Sequence, residues 1–152
     1  MRYLVSRIGR GLVVAALAVA ILTTVAAYVG DAAADDAPQP LGPGDVTIAL
    51  GMEYSRFDVT EISVRSGTRL RFVVTNHDPI PHELIVGDEE VHAQHATGTH
   101  AEHPPIPGEV SVRPGGIAVT TFTFDEPGVV NFACHLPGHY DYGMHGRIVV
   151  TD

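Results

Sequence analysis

Cys134-His135-Leu136-Pro137-Gly138-His139-Tyr140-Asp141-Tyr142-Gly143-Met144 is the stretch on which the reading of this chain turns. Cys134, His139 and Met144 recur every five residues and offer a thiolate, an imidazole and a thioether. These soft and borderline ligands together select copper over zinc, magnesium or calcium. A lone cysteine is more often a small buried hydrophobe, and a lone methionine usually fills core space. In order, at ligand spacing, with Pro137, Gly138 and Gly143 to turn the backbone, they mark a metal loop. A mononuclear redox copper site sets two imidazoles and a thiolate in a plane, with methionine weakly on the axis. One more histidine is therefore needed, and His82, in Ile80-Pro81-His82-Glu83-Leu84, is the candidate.

The pattern His82 … Cys134-x4-His139-x4-Met144 resembles the cupredoxin, or type 1 blue copper, superfamily. Its Cys-x-x-Pro-Gly-His run is similar to azurin's, while His-x4-Met set between glycines looks more like plastocyanin or rusticyanin. Glu61 to Asn76 is likewise similar to the paired strands that precede the first copper histidine in cupredoxins. The resemblance implies one type 1 copper on His82, Cys134, His139 and an axial Met144, and an intense charge-transfer colour. It also implies single-electron transfer between redox proteins such as cytochromes or oxidases. Glu83 departs from the resemblance, because azurin and plastocyanin have Asn after the first ligand. That position bears on the hydrogen bonds that tune the metal.

The 152 residues make one domain the default. Arg2, Arg7 and Arg10 precede an apolar run over 11–29 and a small-residue pattern at Ala32-Ala33-Ala34, which reads as an export signal. The apolar run approaches the ~20 residues that span a bilayer. Residues 1–34 are therefore expected to form a hydrophobic helix, either a cleaved signal peptide or a retained membrane anchor, with the rest extracytoplasmic. Residues 35–44 read as a linker, and 45–152 as the copper domain. Cleavage after Ala34 would remove three Arg and Asp31, leaving six basic against 17 acidic residues and a net charge of −11. Such a surface disfavours nucleic acid and anionic lipid, and suits a redox partner that approaches with a basic patch. A monomer is expected. Cys134 has no second cysteine to pair with, and coordination would protect its thiol in an oxidising compartment.

Along the chain, period-two alternation predicts strands over 45–50, 58–64, 69–76, 109–112, 117–124, 129–134 and 146–150, with a further one carrying His82, Leu84 and Val86 on one face. About eight strands with regular turn signals predict an all-β fold, an antiparallel Greek-key β-sandwich. Leu70, Phe72 and Val74 are assigned to the core, and Val130, Phe132 and Cys134 point inward at a strand end. Met52 is assigned to packing and His77 to solvent. His135 and His145, neighbours of ligands, should face away from the metal, and Tyr140 and Tyr142 should pack. Pro79, Ile80, Pro81, Leu136 and Pro137 would form an apolar patch around the His139 edge, the exit for an electron.

Residues 88–108 carry no strand pattern. They read as a His-rich insertion without structure, with His92, His95, His100 and His103 spaced His-x2-His-x4-His-x2-His. Short His-rich tracts bind metal loosely or in a defined second site. A multicopper oxidase or nitrite reductase would need His-x-His pairs and a second domain, and a dinuclear purple-copper site a second Cys. The chain offers neither, so no catalytic residue is expected. Two functions remain: an electron carrier, or a protein for copper delivery, storage or resistance that uses the His-rich insertion.

Overall fold

The computed structural model describes residues 38–98 and 105–152. The expected N-terminal hydrophobic helix, and His100 and His103, lie outside the described residues. Eight strands follow in order: β1 Gly44–Met52, β2 Glu61–Arg65, β3 Thr68–Asn76, β4 His82–Gly87, β5 Glu109–Val112, β6 Ile117–Phe124, β7 Gly128–Ala133 and β8 His145–Thr151. A helix, α1, spans Glu89–Gly98 between β4 and β5. One sheet has the order β1-β3-β6 and the other β2-β8-β7-β4-β5.

Alternation places the core where expected. In β3, Thr68, Leu70, Phe72, Val74 and Asn76 are buried while Arg69 and Arg71 are exposed, as successive residues of a strand must face opposite sides. Leu50, Met52, Leu84, Val112, Phe124, Phe132 and Ile148 belong to one continuous cluster with Leu70, Phe72 and Val74. Met52 is thus a packing residue.

Strand direction differs from expectation. β1 runs parallel to β3, from Gly44↔Thr68 to Met52↔Asn76, and β2 runs parallel to β8. The remaining ladders are antiparallel, so the sandwich is mixed. The cause lies in the turn between β2 and β3, which do not pair with each other as the resemblance implied. Ser66 donates its N–H to the carbonyl of Thr151 at 2.7 Å, and Gly67 donates to that of Phe124 at 2.8 Å. Those carbonyls belong to β8 and β6, one in each sheet, so the turn carries the chain across the sandwich. The strands on either side of it then meet partners remote in sequence. The last residues of the expected linker are also attached: Leu41 donates to the Ser63 carbonyl and accepts from the Arg65 N–H, covering part of the free edge of β2.

The expectation of an unstructured insertion at 88–108 is corrected by α1. Asp88 caps the helix, its Oδ1 accepting the Val91 N–H at 3.0 Å, and Glu89 and Glu90 in the first turn complement the positive end of the helix dipole. No helix residue is buried, so the apolar stripe by which a helix is normally recognised is missing. Gly87 lets α1 approach β4, since a Cβ there would lie 2.9 Å from Val91 Cβ. With α1 nearby and β5 and β7 on either side, all six residues of β4 are buried.

Phe72→Ala in the centre of this core is expected to cost about 3–5 kcal/mol, the usual penalty for an aromatic cavity. Urea unfolding of the metal-free protein reads it, and a loss below about 1 kcal/mol would contradict the core as described.

Candidate metal centre

Antiparallel pairing brings the start of β4, the end of β7 and the start of β8 to one end of the five-stranded sheet. His82 opens β4, Cys134 follows β7, and the loop from Cys134 to Met144 leads into β8. The loop is closed by its own backbone. Cys134 donates its N–H to the Met144 carbonyl, Met144 donates to the His139 carbonyl, and His139 donates to that of Leu136, all at 2.9–3.1 Å. Gly138 and Gly143 take φ of +82° and +92°, values that suit residues without a Cβ.

Three ligand atoms converge. His82 Nδ1 lies 3.2 Å from His139 Nδ1, and Cys134 Sγ lies 3.3 Å from the same nitrogen. One ligand atom from each of the three residues falls within 4.8 Å of the others. His82 and Cys134 are fully buried, whereas His139 is partly exposed. Met144, the fourth residue singled out from sequence, is fully buried in the core cluster beside the loop.

His82 is oriented by a residue that the sequence reading missed. Its Nε2 lies 2.8 Å from Asp78 Oδ2, so the carboxylate accepts the Nε2 proton and leaves Nδ1 with a free lone pair. Asp78 is in turn held by the backbone N–H groups of Tyr54 and Ser55 at 2.7 and 2.8 Å. Both donors sit in a turn with positive φ. Burial pushes the Asp78 carboxyl up, but the Ser55 N–H, His82 and the Tyr54 N–H outweigh it and hold the pKa below the ordinary value. Asn76 fixes the same connection: its Nδ2 lies 2.8 Å from the Ile80 carbonyl and 3.1 Å from that of Val112, while its Oδ1 accepts the Asp78 N–H at 2.8 Å.

Glu83, the departure from the azurin and plastocyanin pattern, is fully buried. Its Oε1 accepts the His135 N–H at 2.8 Å, which ties β4 to the ligand loop immediately after Cys134. The Cys134 thiol is pushed up to about 11, first by burial and further by the Glu83 charge, against backbone hydrogen bonds from Glu83 and Leu136. Burial, then His82, lowers the His139 pKa, which favours the neutral imidazole that a metal requires.

Other sequence expectations divide. His77 is exposed. Pro79, Ile80, Pro81 and Pro137 are exposed near the site, but Leu136 is buried and does not belong to a surface patch. His135 faces α1, its Nε2 2.8 Å from His92 Nδ1. Tyr140 stacks between His135 and His145, at ring centroid distances of 5.5 and 4.7 Å. Of the insertion's histidines, His95 pairs with Glu109 at 3.2 Å. His92 and His95 both meet His135, His92 through its Nδ1 and His95 by a stacked ring with centroids 6.1 Å apart.

A two-sheet sandwich with a thiol and two imidazole Nδ1 atoms converging at one end defines a copper protein of the cupredoxin class. The chemistry of the donor set fits copper, since thiolate and imidazole are ligands it favours. The chain belongs to the copper-binding proteins of the plastocyanin/azurin family, whose family model matches residues 45–151. It is 36% identical over 127 residues to the copper-resistant cuproprotein CopI of Rubrivivax gelatinosus, covering 77% of each chain. It is 30% identical over 137 residues to that of Pseudomonas aeruginosa, covering 69% of this chain and 75% of the relative. Among solved structures it is similar to an auracyanin of Roseiflexus castenholzii, with a TM-score of 0.58 and 26% identity over 70% of this chain and 97% of the other. Auracyanin A of Chloroflexus aurantiacus, a "blue" copper protein, gives a TM-score of 0.57 and 28% identity over 71% of this chain and all of the other.

Two outcomes follow from the geometry. Because the thiol stays protonated up to about 11 and a metal takes the thiolate, copper binding near neutral pH should release about one proton from Cys134. Apparent affinity should then rise about tenfold per pH unit below that value, as potentiometric titration in weak buffer would read; pH-independent affinity would contradict it. Asp78→Ala should weaken copper binding by about 10–100-fold, the usual effect of removing a carboxylate that orients a ligand histidine. A competition titration reads that loss.

Proposed function

We propose that this protein binds one copper ion through His82, Cys134 and His139, with Met144 as the weak axial ligand, and serves in copper resistance outside the cytoplasm. The convergence of one thiol and two imidazole Nδ1 atoms within 4.8 Å carries the reading. The resistance role is supported by the CopI relatives, whose name is that of a copper-resistant cuproprotein. When bound, copper would supply a one-electron couple and a thiolate charge-transfer colour. The chain's own part is to hold the ligands still. Asp78 fixes the tautomer of His82, Glu83 pins the residue after Cys134, and the backbone-closed loop carries His139 and Met144. Burial of the thiol excludes water from it and shields it from oxidation. The N-terminal residues 1–34 would direct export, as a cleaved signal or as an anchor, and the protein would work as a monomer. It is read as a binding protein, not an enzyme: the four residues fill the ligand positions of a type 1 site and leave no open one for a substrate.

Single-electron transfer is the second reading. Its support is the rigid ligand frame, with the partly exposed His139 beside exposed Pro79, Ile80, Pro81 and Pro137, a small apolar surface of the kind transient redox partners use. An acidic chain would favour a cytochrome or oxidase with a basic patch.

A host strain lacking its own copy separates the two. Wild-type protein should restore growth in excess copper, and Cys134→Ser should not, with copper content and colour lost from the purified variant. Equal protection by both would overturn the resistance role of the site. Stopped-flow reduction by a cytochrome with undiminished copper tolerance in the deletion strain would favour the electron carrier.

A further inference from the structure

The imidazole pair on the outer side of the ligand loop has no part in the site already described. His92, on α1, sets its Nδ1 2.8 Å from His135 Nε2, and the two ring centroids are 5.1 Å apart. We propose that His92 and His135 form a second transition-metal site, for a cupric ion, that clamps α1 onto the ligand loop one residue from Cys134.

The orientation of His92 supports this. Its Nε2 lies 3.2 Å from the Asn131 carbonyl, an acceptor that keeps the proton on Nε2 and leaves Nδ1 as a lone pair, the arrangement found in ligating histidines. Without metal, the Nε2–H of His135 fills the gap by donating to that lone pair. A metal would replace this shared proton, with His135 shifting to its other tautomer. Two imidazole nitrogens about 2.0 Å from an ion, in adjacent positions of the square-planar or tetragonal geometry that cupric copper prefers, sit about 2.8 Å apart, the separation His92 Nδ1 and His135 Nε2 already have.

Space is at hand beside the pair. The pair borders an open cleft of about 500 Å3 lined also by Glu89, Tyr140 and Asp141. A second hollow of about 260 Å3 is lined by His92, Glu89 and His145. Glu89 precedes His92 by three residues on the helix and so shares its face. Imidazole and carboxylate suit a divalent borderline ion, and cupric copper binds such donors most tightly of the common divalent metals.

The energetics of α1 point the same way. No residue of the helix is buried. Its attachments to the sandwich include Val91 over Gly87, His92 to the ligand loop and strand β7, and His95 to Glu109 and, by a stacked ring at 6.1 Å, to His135. A ten-residue helix is marginal on its own in water, so an ion bridging His92 and His135 would couple metal binding to helix docking.

The choice of copper as the ion rests on the proposed function; the geometry does not. Equilibrium dialysis against buffered cupric ion, with EPR and far-UV circular dichroism, tests it on full-length protein. Wild type should hold one more copper than either His92→Gln or His135→Gln, and that ion should add no thiolate charge-transfer band. His77→Ala, an exposed imidazole elsewhere, should lose nothing. In a Cys134→Ser background the difference of one ion should persist, so failure of the buried site and failure of this one are read separately. Equal stoichiometry in wild type and His92→Gln, or loss of the ion in His92→Gln but not in His135→Gln, would overturn the site.

Discussion

A carboxylate and an imidazole buried together set the frame on which the rest of this structure depends. Asp78 takes the Nε2 proton of His82 at 2.8 Å, and two backbone N–H groups from a tight turn hold the carboxylate in place. A buried histidine with an unsatisfied nitrogen would be costly and free to choose either tautomer. With that nitrogen satisfied, Nδ1 is committed to the metal side. The same segment is pinned by Asn76, whose side chain reaches the Ile80 carbonyl within the β3–β4 connection and the Val112 carbonyl at the end of β5. The first imidazole is therefore set by the sandwich itself, while the thiol and the second imidazole arrive on one self-closed loop.

Glu83 links the two halves. A fully buried carboxylate usually needs strong partners, and this one accepts the N–H of the residue after Cys134. It thereby joins the strand bearing His82 to the loop bearing the thiol. Its charge adds to the burial that keeps the free thiol protonated. The chain thus stores Cys134 in an unreactive form and asks a metal to displace the proton, a useful property for a single unpaired cysteine.

Much of this was legible in the sequence, for a physical reason. The ligand loop is short and its chemistry is explicit in residue type, so Cys134, His139 and Met144 could be read directly, and alternation placed Leu70, Phe72, Val74 and Phe132 in the core. Strand direction was not legible, because period-two alternation is the same for parallel and antiparallel neighbours. The crossing at Ser66 and Gly67 appears only when the partners of their N–H groups are seen. Asp78 was hidden because a carboxylate between His77 and Pro79 reads as a turn former. Helix α1 was hidden because it buries nothing, although Asp88 followed by Glu89 and Glu90 was a start signal available for the reading. The pairing of His92 with His135 spans 43 residues and no local pattern encodes it.

The cupredoxin-class sandwich, the imidazole orientation and the loop closure all converge on one claim: a single copper ion is held by His82, Cys134 and His139. X-ray absorption at the copper edge, on protein loaded with one equivalent, tests it most directly. The account predicts one short copper–sulfur bond and two imidazole nitrogens, with the sulfur signal abolished in Cys134→Ser. A first shell of nitrogen and oxygen only, unchanged by that substitution, would contradict it.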